Sequence, residues 1–156
     1  MNSHPRLPYP GLRAFTREES DLFFGRENCV DSMVDRLAET RFLAVLGPSG
    51  GGKSSLVRTG LLDALDLGLL AAAGSHWKIA DMHPGGKPMR KLAAALLQLQ
   101  QDDAPDDAEI DHLTEVLGQG PRSIVRWAAS GNLPENSNLL ILVDQFEGGI
   151  VVEGLF

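Results

Sequence analysis

The stretch FLAVLGPSGGGKSS, residues 42–55, decides the reading of this chain. Phe42 to Leu46 is a short unbroken apolar run, which fits a strand buried on both faces in a parallel sheet. Gly47-Pro48-Ser49-Gly50-Gly51-Gly52-Lys53-Ser54 then matches G-x-x-x-x-G-K-[ST] without a gap. Glycines at this density let the backbone curl until successive N–H groups point inward around an anion. From Ser54 to about Leu65 the pattern is helical, and the positive end of that helix adds to the same place. Strand, glycine turn and helix in this order predict a phosphate-binding loop. Lys53 is the candidate to reach the β- and γ-phosphates of a nucleotide, and the Ser54 hydroxyl the candidate ligand of Mg²⁺. Ser55 completes the set of residues assigned to the nucleotide. A glycine-rich turn with no ligand is the plain structural alternative.

Outward from this loop the elements alternate. Upstream, Glu27 to Thr40 carries Val30, Met33, Val34, Leu37 and Ala38 on one face of a 3.6-residue period. Before it, Thr16 and Glu19 form a capping-box pattern for a short helix to about Phe23. The lead-in to that helix, with Pro5, Pro8, Pro10 and Gly11, suits turns and extended chain. Downstream, Trp77 to Met82 reads as a strand closed by Pro84-Gly85-Gly86, and Met89 to Gln101 as a helix. Two shorter helical patterns follow, Ile110–Leu117 and Arg122–Ser130, with Pro121 at the start of the second. Leu139 to Val143 is the most hydrophobic stretch and a strong strand. Strands alternating with helices predict an α/β fold with a parallel sheet flanked by helices.

Asp144 closes that last strand. A carboxylate at the carboxyl end of a buried strand faces the crevice where open α/β sheets bind ligands. Beside the glycine loop, it is the second candidate ligand of Mg²⁺ with Ser54. Glu147, three residues on, is a candidate general base for an attacking water, or a solvated turn residue.

The composition narrows the class. The 156 residues suit one domain, and a net charge of −7 argues against a general nucleic-acid binder, which needs a basic face. Hydrophobic residues at 43% and charged ones at 22% are ordinary for a globular chain. The negative charge is local. Asp102, Asp103, Asp106, Asp107, Glu109, Asp111 and Glu115 fall in one segment without Lys or Arg, and elsewhere acids and bases balance. It reads as a solvated linker leading into a helix. No apolar run reaches the ~18 residues of a membrane span, and the start lacks the apolar core of a signal peptide. A cytoplasmic protein without membrane contact is expected.

Cys29, the single cysteine, allows no internal disulfide and is expected to be partly buried. His4, His76, His83 and His112 show no metal-ligand spacing. Trp77 and Trp127 are expected to pack in the core or at its rim. The loop alone also resembles those of guanylate kinases and ABC-type ATPases. The segment before the last strand, RWAASGNLPENSN, lacks an LSGGQ-like signature. A nucleoside monophosphate kinase would need arginine-rich segments where only Arg122 and Arg126 stand.

Four blocks in order resemble the novel STAND NTPases, signal-transduction ATPases of bacteria. They are Pro8-Tyr-Pro-Gly-Leu-Arg-Ala-Phe15, Asp21-Leu-Phe-Phe-Gly-Arg-Glu27, GPSGGGKSSLVRTGLLDAL and LLILVDQFE. The resemblance covers Tyr9 to Glu147. It implies a switch in which ATP favours an active, often self-associated state that engages protein effectors, with ADP favouring the inactive one. It also places Phe24, Gly25 and Arg26 near the adenine and ribose, where an aromatic face and an arginine suit a purine.

Relatives continue past this point in the manner of DQFEELF, whereas this chain reads Glu147-Gly-Gly-Ile-Val-Val-Glu-Gly-Leu-Phe156. The expectation is a frameshift that truncates a longer gene. It divides the chain into 1–40, a lead-in with helices and the FFGRE segment; 41–147, a truncated P-loop core with Walker A at 47–54 and Walker B at 139–144; and 148–156, an atypical tail. By the same resemblance, the strands at 42–46 and 139–143 would flank a missing central strand and expose their edges, making the protein marginally stable or dependent on a partner. The expected function is ATP and Mg²⁺ binding with weak or no hydrolysis. A small-molecule P-loop kinase and a non-enzymatic partner-binding module are the alternatives.

Overall fold

The computed structural model describes residues 25–146 and 149–156. The expected helix ending near Phe23, with Phe24 and Glu147, lies outside them. The apolar face at Val30, Met33, Val34 and Leu37 makes α1 (Glu27–Thr40), with Met33, Val34 and Leu37 buried and Ala38 left exposed. Arg41 takes a left-handed conformation (φ 56°) and its N–H bonds Leu37 O, so the helix stops and the chain turns into β1 (Phe42–Val45).

The glycine turn leads into α2 (Lys53–Ser55), which continues through a widened π-type stretch, Leu56–Leu61, into α3 (Leu62–Asp66). Then come β2 (Trp77–Met82) and α4 (Pro88–Leu97), whose proline stands at the first turn, where no N–H partner is needed. Next are α5 (Asp107–Leu117), α6 (Ser123–Trp127), β3 (Asn138–Phe146) and β4 (Gly149–Leu155).

Part of the acidic segment is helix, not linker. Asp106 accepts from Glu109 N–H at 2.7 Å while Glu109 accepts from Asp106 N–H at 3.1 Å, a complete capping box that starts α5. Arg90 of α4 pairs with Asp107 and Asp111, so two of the acids hold α5 against α4.

The sheet order is β1-β4-β3-β2. β2 pairs parallel with β3, whereas β4 runs antiparallel to both its neighbours. The sheet is therefore mixed, not parallel. The expectation of a missing central strand is overturned in the same way, since 149–155 stands between β1 and β3 and pairs with both. Its sequence explains why. Ile150 and Val152 point to one face and are fully closed off, at 1% and 0% exposure, with Gly149 and Gly154 at the ends where space is short. A Cβ on Gly149 would stand 2.8 Å from Leu46 Cδ2, and one on Gly154 would stand 2.8 Å from the Phe156 ring.

Two apolar layers sandwich the sheet. On one side α1 and the helix after the glycine turn pack Leu37, Val57, Leu61 and Leu65 onto Leu43, Leu140, Leu142, Ile150 and Val152. On the other, Leu96, Leu113, Leu117 and Trp127 cover Ala80, Met82, Leu139 and Ile141. Burying each such aliphatic side chain is worth about 1.5–3 kcal/mol. β1 is an edge strand, so its expected two-sided burial fails: Phe42 is 49% exposed and Leu46 78%. Trp127 is core, and Trp77 meets Phe156 edge-on at 5.5 Å. Cys29 is exposed, not partly buried.

Candidate functional site

β1, β2 and β3 point the same way, so their carboxyl ends share one rim of the sheet. The glycine turn follows β1 on that rim, Asp81 sits one residue from the end of β2, and Asp144 lies near the end of β3. Gly50 and Gly52 both have φ of 77°, a left-handed conformation that side-chain-bearing residues rarely adopt. Between them Gly51 N–H donates to Pro48 O at 3.1 Å, closing the turn. Leu56 N–H then donates to Gly52 O at 2.8 Å, so the helix begins directly after the last glycine.

Lys53 lies over the turn it terminates. Its Nζ donates to Gly47 O and to Pro48 O, both at 2.8 Å. Ser49 is exposed at the tip, and Ser55 is buried in the helix, where its carbonyl accepts from the Thr59 hydroxyl. Ser54 Oγ stands 3.4 Å from Asp144 Oδ1. Ser54 and Asp144, ninety positions apart in sequence, thus meet across the rim, while Lys53 stays on the turn.

A β-bulge sets the direction of Asp144. Gln145 has φ of 64°, and the β3–β4 register skips it, passing from Asp144↔Ile150 to Phe146↔Gly149. Gln145 N–H is thereby turned onto Asp144 Oδ1 at 2.9 Å. Asp144 is only 7% exposed and needs a positive partner at such burial.

That partner is Arg58, a residue that motif reading passed over. Its guanidinium grips Asp81 with both terminal nitrogens and reaches Asp144 Oδ2 with Nη2 at 3.2 Å. The Asp81 hydrogen bond is the largest influence on Arg58, and despite desolvation it holds the guanidinium pKa above its ordinary value. Arg58 lies one helical turn beyond Ser54, on the same face, which is the periodicity signal that could have found it. Asp81 could have been found as an acid set between the apolar Ala80 and Met82 of its strand.

The other predicted residues lie elsewhere. Gly25 and Arg26 stand at the start of α1, where Arg26 and Glu27 line a cavity of about 260 Å³ with Val30, Thr59, Gly60 and Asp63. Thr59 and Gly60 belong to the helix that begins at Lys53, so this cavity and the glycine turn share one element. Among the described residues there is no group of three or more His, Cys, Asp or Glu side chains fit for a metal ion. None of the helices described is long and apolar enough to cross a membrane.

A glycine turn between a strand and a helix, facing a strand-end carboxylate, is the arrangement of nucleotide-binding NTPases. The chain belongs to the Novel STAND NTPase 1 family, whose model matches residues 8–152. It is also similar to the ABC transporter ATP-binding protein RamB of Streptomyces coelicolor, with 32% identity over 111 residues. That alignment takes in 61% of this chain and 17% of the relative, so the chain spans about a sixth of that protein's length. No solved structure matches the chain.

Proposed function

We propose that this chain binds ATP with Mg²⁺ through a P-loop at 47–54 and serves as the nucleotide-responsive part of a signalling switch. The observation that carries this reading is Lys53. Its ammonium is held by two carbonyls of the glycine turn, 2.8 Å from each, and aimed back over the loop it follows. A phosphate entering that loop would meet a cation already in place, backbone N–H groups of the glycine turn, and the positive end of the helix.

The donor set beside it fits the metal. Ser54 Oγ and Asp144 Oδ1, 3.4 Å apart, are both oxygens, the ligand type a hard divalent cation takes. Ser54 and Asp144 would hold Mg²⁺, which would supply charge neutralisation between the β- and γ-phosphates. The cavity against Arg26 supports the purine reading of that residue, and the family resemblance supports Phe24 and Gly25 in the same role. Glu147 is the candidate base that orients water, with hydrolysis slow enough to act as a timer. Self-association and protein effectors are the partners this role implies. The core of the switch is 41–147, preceded by the lead-in 1–40. In this structure residues 149–155 supply a strand to the same sheet.

Titration of the wild type and Lys53→Ala with a fluorescent ATP analogue tests the reading, with and without Mg²⁺. Micromolar binding that weakens at least tenfold in the variant is expected. Equal binding by the two proteins would overturn it.

A further inference from the structure

Asp144 is assigned to Mg²⁺ under the function proposed above, yet in this structure its carboxylate is already engaged. Oδ1 accepts from Gln145 N–H at 2.9 Å and faces Ser54 Oγ at 3.4 Å, while Oδ2 accepts from Arg58 Nη2 at 3.2 Å. Arg58 does not depend on Asp144 for its own neutralisation, because Asp81 takes both its terminal nitrogens. The side chains differ in exposure: 10% for Asp144, 26% for Arg58 and 35% for Asp81. The buried acid is the one that cannot be left without a cation, and the exposed acid is the one that can hold the arginine alone.

We propose that Arg58 is a built-in counter-cation that occupies Asp144 in the metal-free protein and yields it to Mg²⁺, with Asp81 retaining the guanidinium during the exchange. The inference rests on the nucleotide-binding reading and adds a regulatory element to it. Metal and arginine compete for one carboxylate. The arginine prevents an unpaired charge at 7% exposure when no metal is bound, and sets how much metal binding gains. Because Nη2 is shared between Asp81 and Asp144, weakening the Asp81 grip strengthens the competitor. Arg58 is a positioning residue in this scheme. Nothing requires it to touch the nucleotide.

The two sides of the arginine give opposite expectations. Arg58→Gln removes the competitor, so Mg²⁺ should gain a freer carboxylate. Asp81→Asn leaves Arg58 with Asp144 as its only carboxylate partner among the described residues, so Mg²⁺ should gain less. The quantity to measure is the ratio of ATP-analogue affinity with Mg²⁺ to that with EDTA, in which any uniform change in nucleotide binding divides out. The ratio should rise about tenfold in Arg58→Gln and fall severalfold in Asp81→Asn, the size of one charge-assisted contact. Arg58→Lys, which keeps the charge without the two-pronged grip, should fall between wild type and Arg58→Gln, and it serves if Arg58→Gln fails to fold.

An unchanged ratio in Arg58→Gln and Asp81→Asn, with wild-type binding that responds to Mg²⁺, would overturn the competition. So would a ratio that falls in Arg58→Gln. A wild type that binds no nucleotide would overturn the nucleotide reading itself and this inference with it, a result separate from the first two.

Discussion

Val152 of β4 stands directly opposite Leu142 of β3, and the two side chains are shut off from solvent at 0% and 1% exposure. On its other side Val152 faces Leu43 of β1. The strand that carries Asp144 and the strand that leads into the glycine turn therefore do not pair with each other. Their spacing is set by β4, and with it the distance from Ser54 to Asp144.

Ile150→Ala tests that dependence. Ile150 lies between Val45 and Asp144 at 1% exposure, so truncating it leaves a cavity in the layer under the site. Loss of about 2–5 kcal/mol in urea unfolding is expected. Glu153→Gln, on the exposed position of the same strand, should change stability by no more than about 0.5 kcal/mol. Equal effects from the two changes would argue against β4 as a core strand.

At Gly60 the helix behind the glycine turn packs tightly against α1. A Cβ there would lie 2.6 Å from Val30 Cγ2, so Gly60→Ala should cost about 1–3 kcal/mol by overpacking. In a Val30→Ala background the clash is gone and the second change should be close to neutral. A double-mutant cycle by chemical denaturation measures the difference.

Asp106→Ala removes the N-cap of α5 and half of its capping box. A loss of about 0.5–2 kcal/mol is expected. Helical circular dichroism during thermal unfolding reads it, and Asp103→Ala, outside the box, is the comparison.

Acid should loosen the start of α1. The Glu27 carboxyl is held below its ordinary value of 4.5, first by its own backbone N–H and then by that of Gly25. A carboxyl lowered in the folded state stabilises above its unfolded pKa, and loses that contribution as pH falls through the folded one. Amide exchange in the first turn of α1 should therefore quicken below pH 4.5 relative to the later turns, beyond the intrinsic pH dependence. Glu27→Gln should abolish the difference.

Local patterns carried most of this fold. The apolar period of Met33, Val34 and Leu37 announced α1, and the runs at 77–82 and 139–143 announced β2 and β3, because each element buries a face its own sequence displays. β4 went unrecognised for a different reason. Ile150 and Val152 alternate with Val151 and Glu153, and two residues that include a glycine separate them from β3, which is a hairpin signal. The family resemblance led instead to a missing parallel strand, and resemblance says nothing about residues that depart from it. At the site, the G-x-x-x-x-G-K-S spacing and Asp144 were legible because they lie in motifs. Arg58 and Asp81 lie in no motif, and although spacing and neighbours single each out, their pairing exists only after β2 and β3 have aligned side by side.

Ser54→Ala separates the metal from the phosphates. The hydroxyl stands 3.4 Å from Asp144 Oδ1, whereas Lys53 Nζ is held by Gly47 O and Pro48 O on the loop. If Ser54 and Asp144 together hold Mg²⁺, removing the hydroxyl takes away one oxygen ligand and leaves the loop N–H groups and Lys53 untouched. Affinity for an ATP analogue in EDTA should then stay within about twofold of wild type, while the gain on adding Mg²⁺ should shrink about tenfold. Lys53→Ala should do the reverse, weakening binding under both conditions. A Ser54→Ala protein that loses affinity equally with and without metal would place the hydroxyl on the phosphates instead of on the ion.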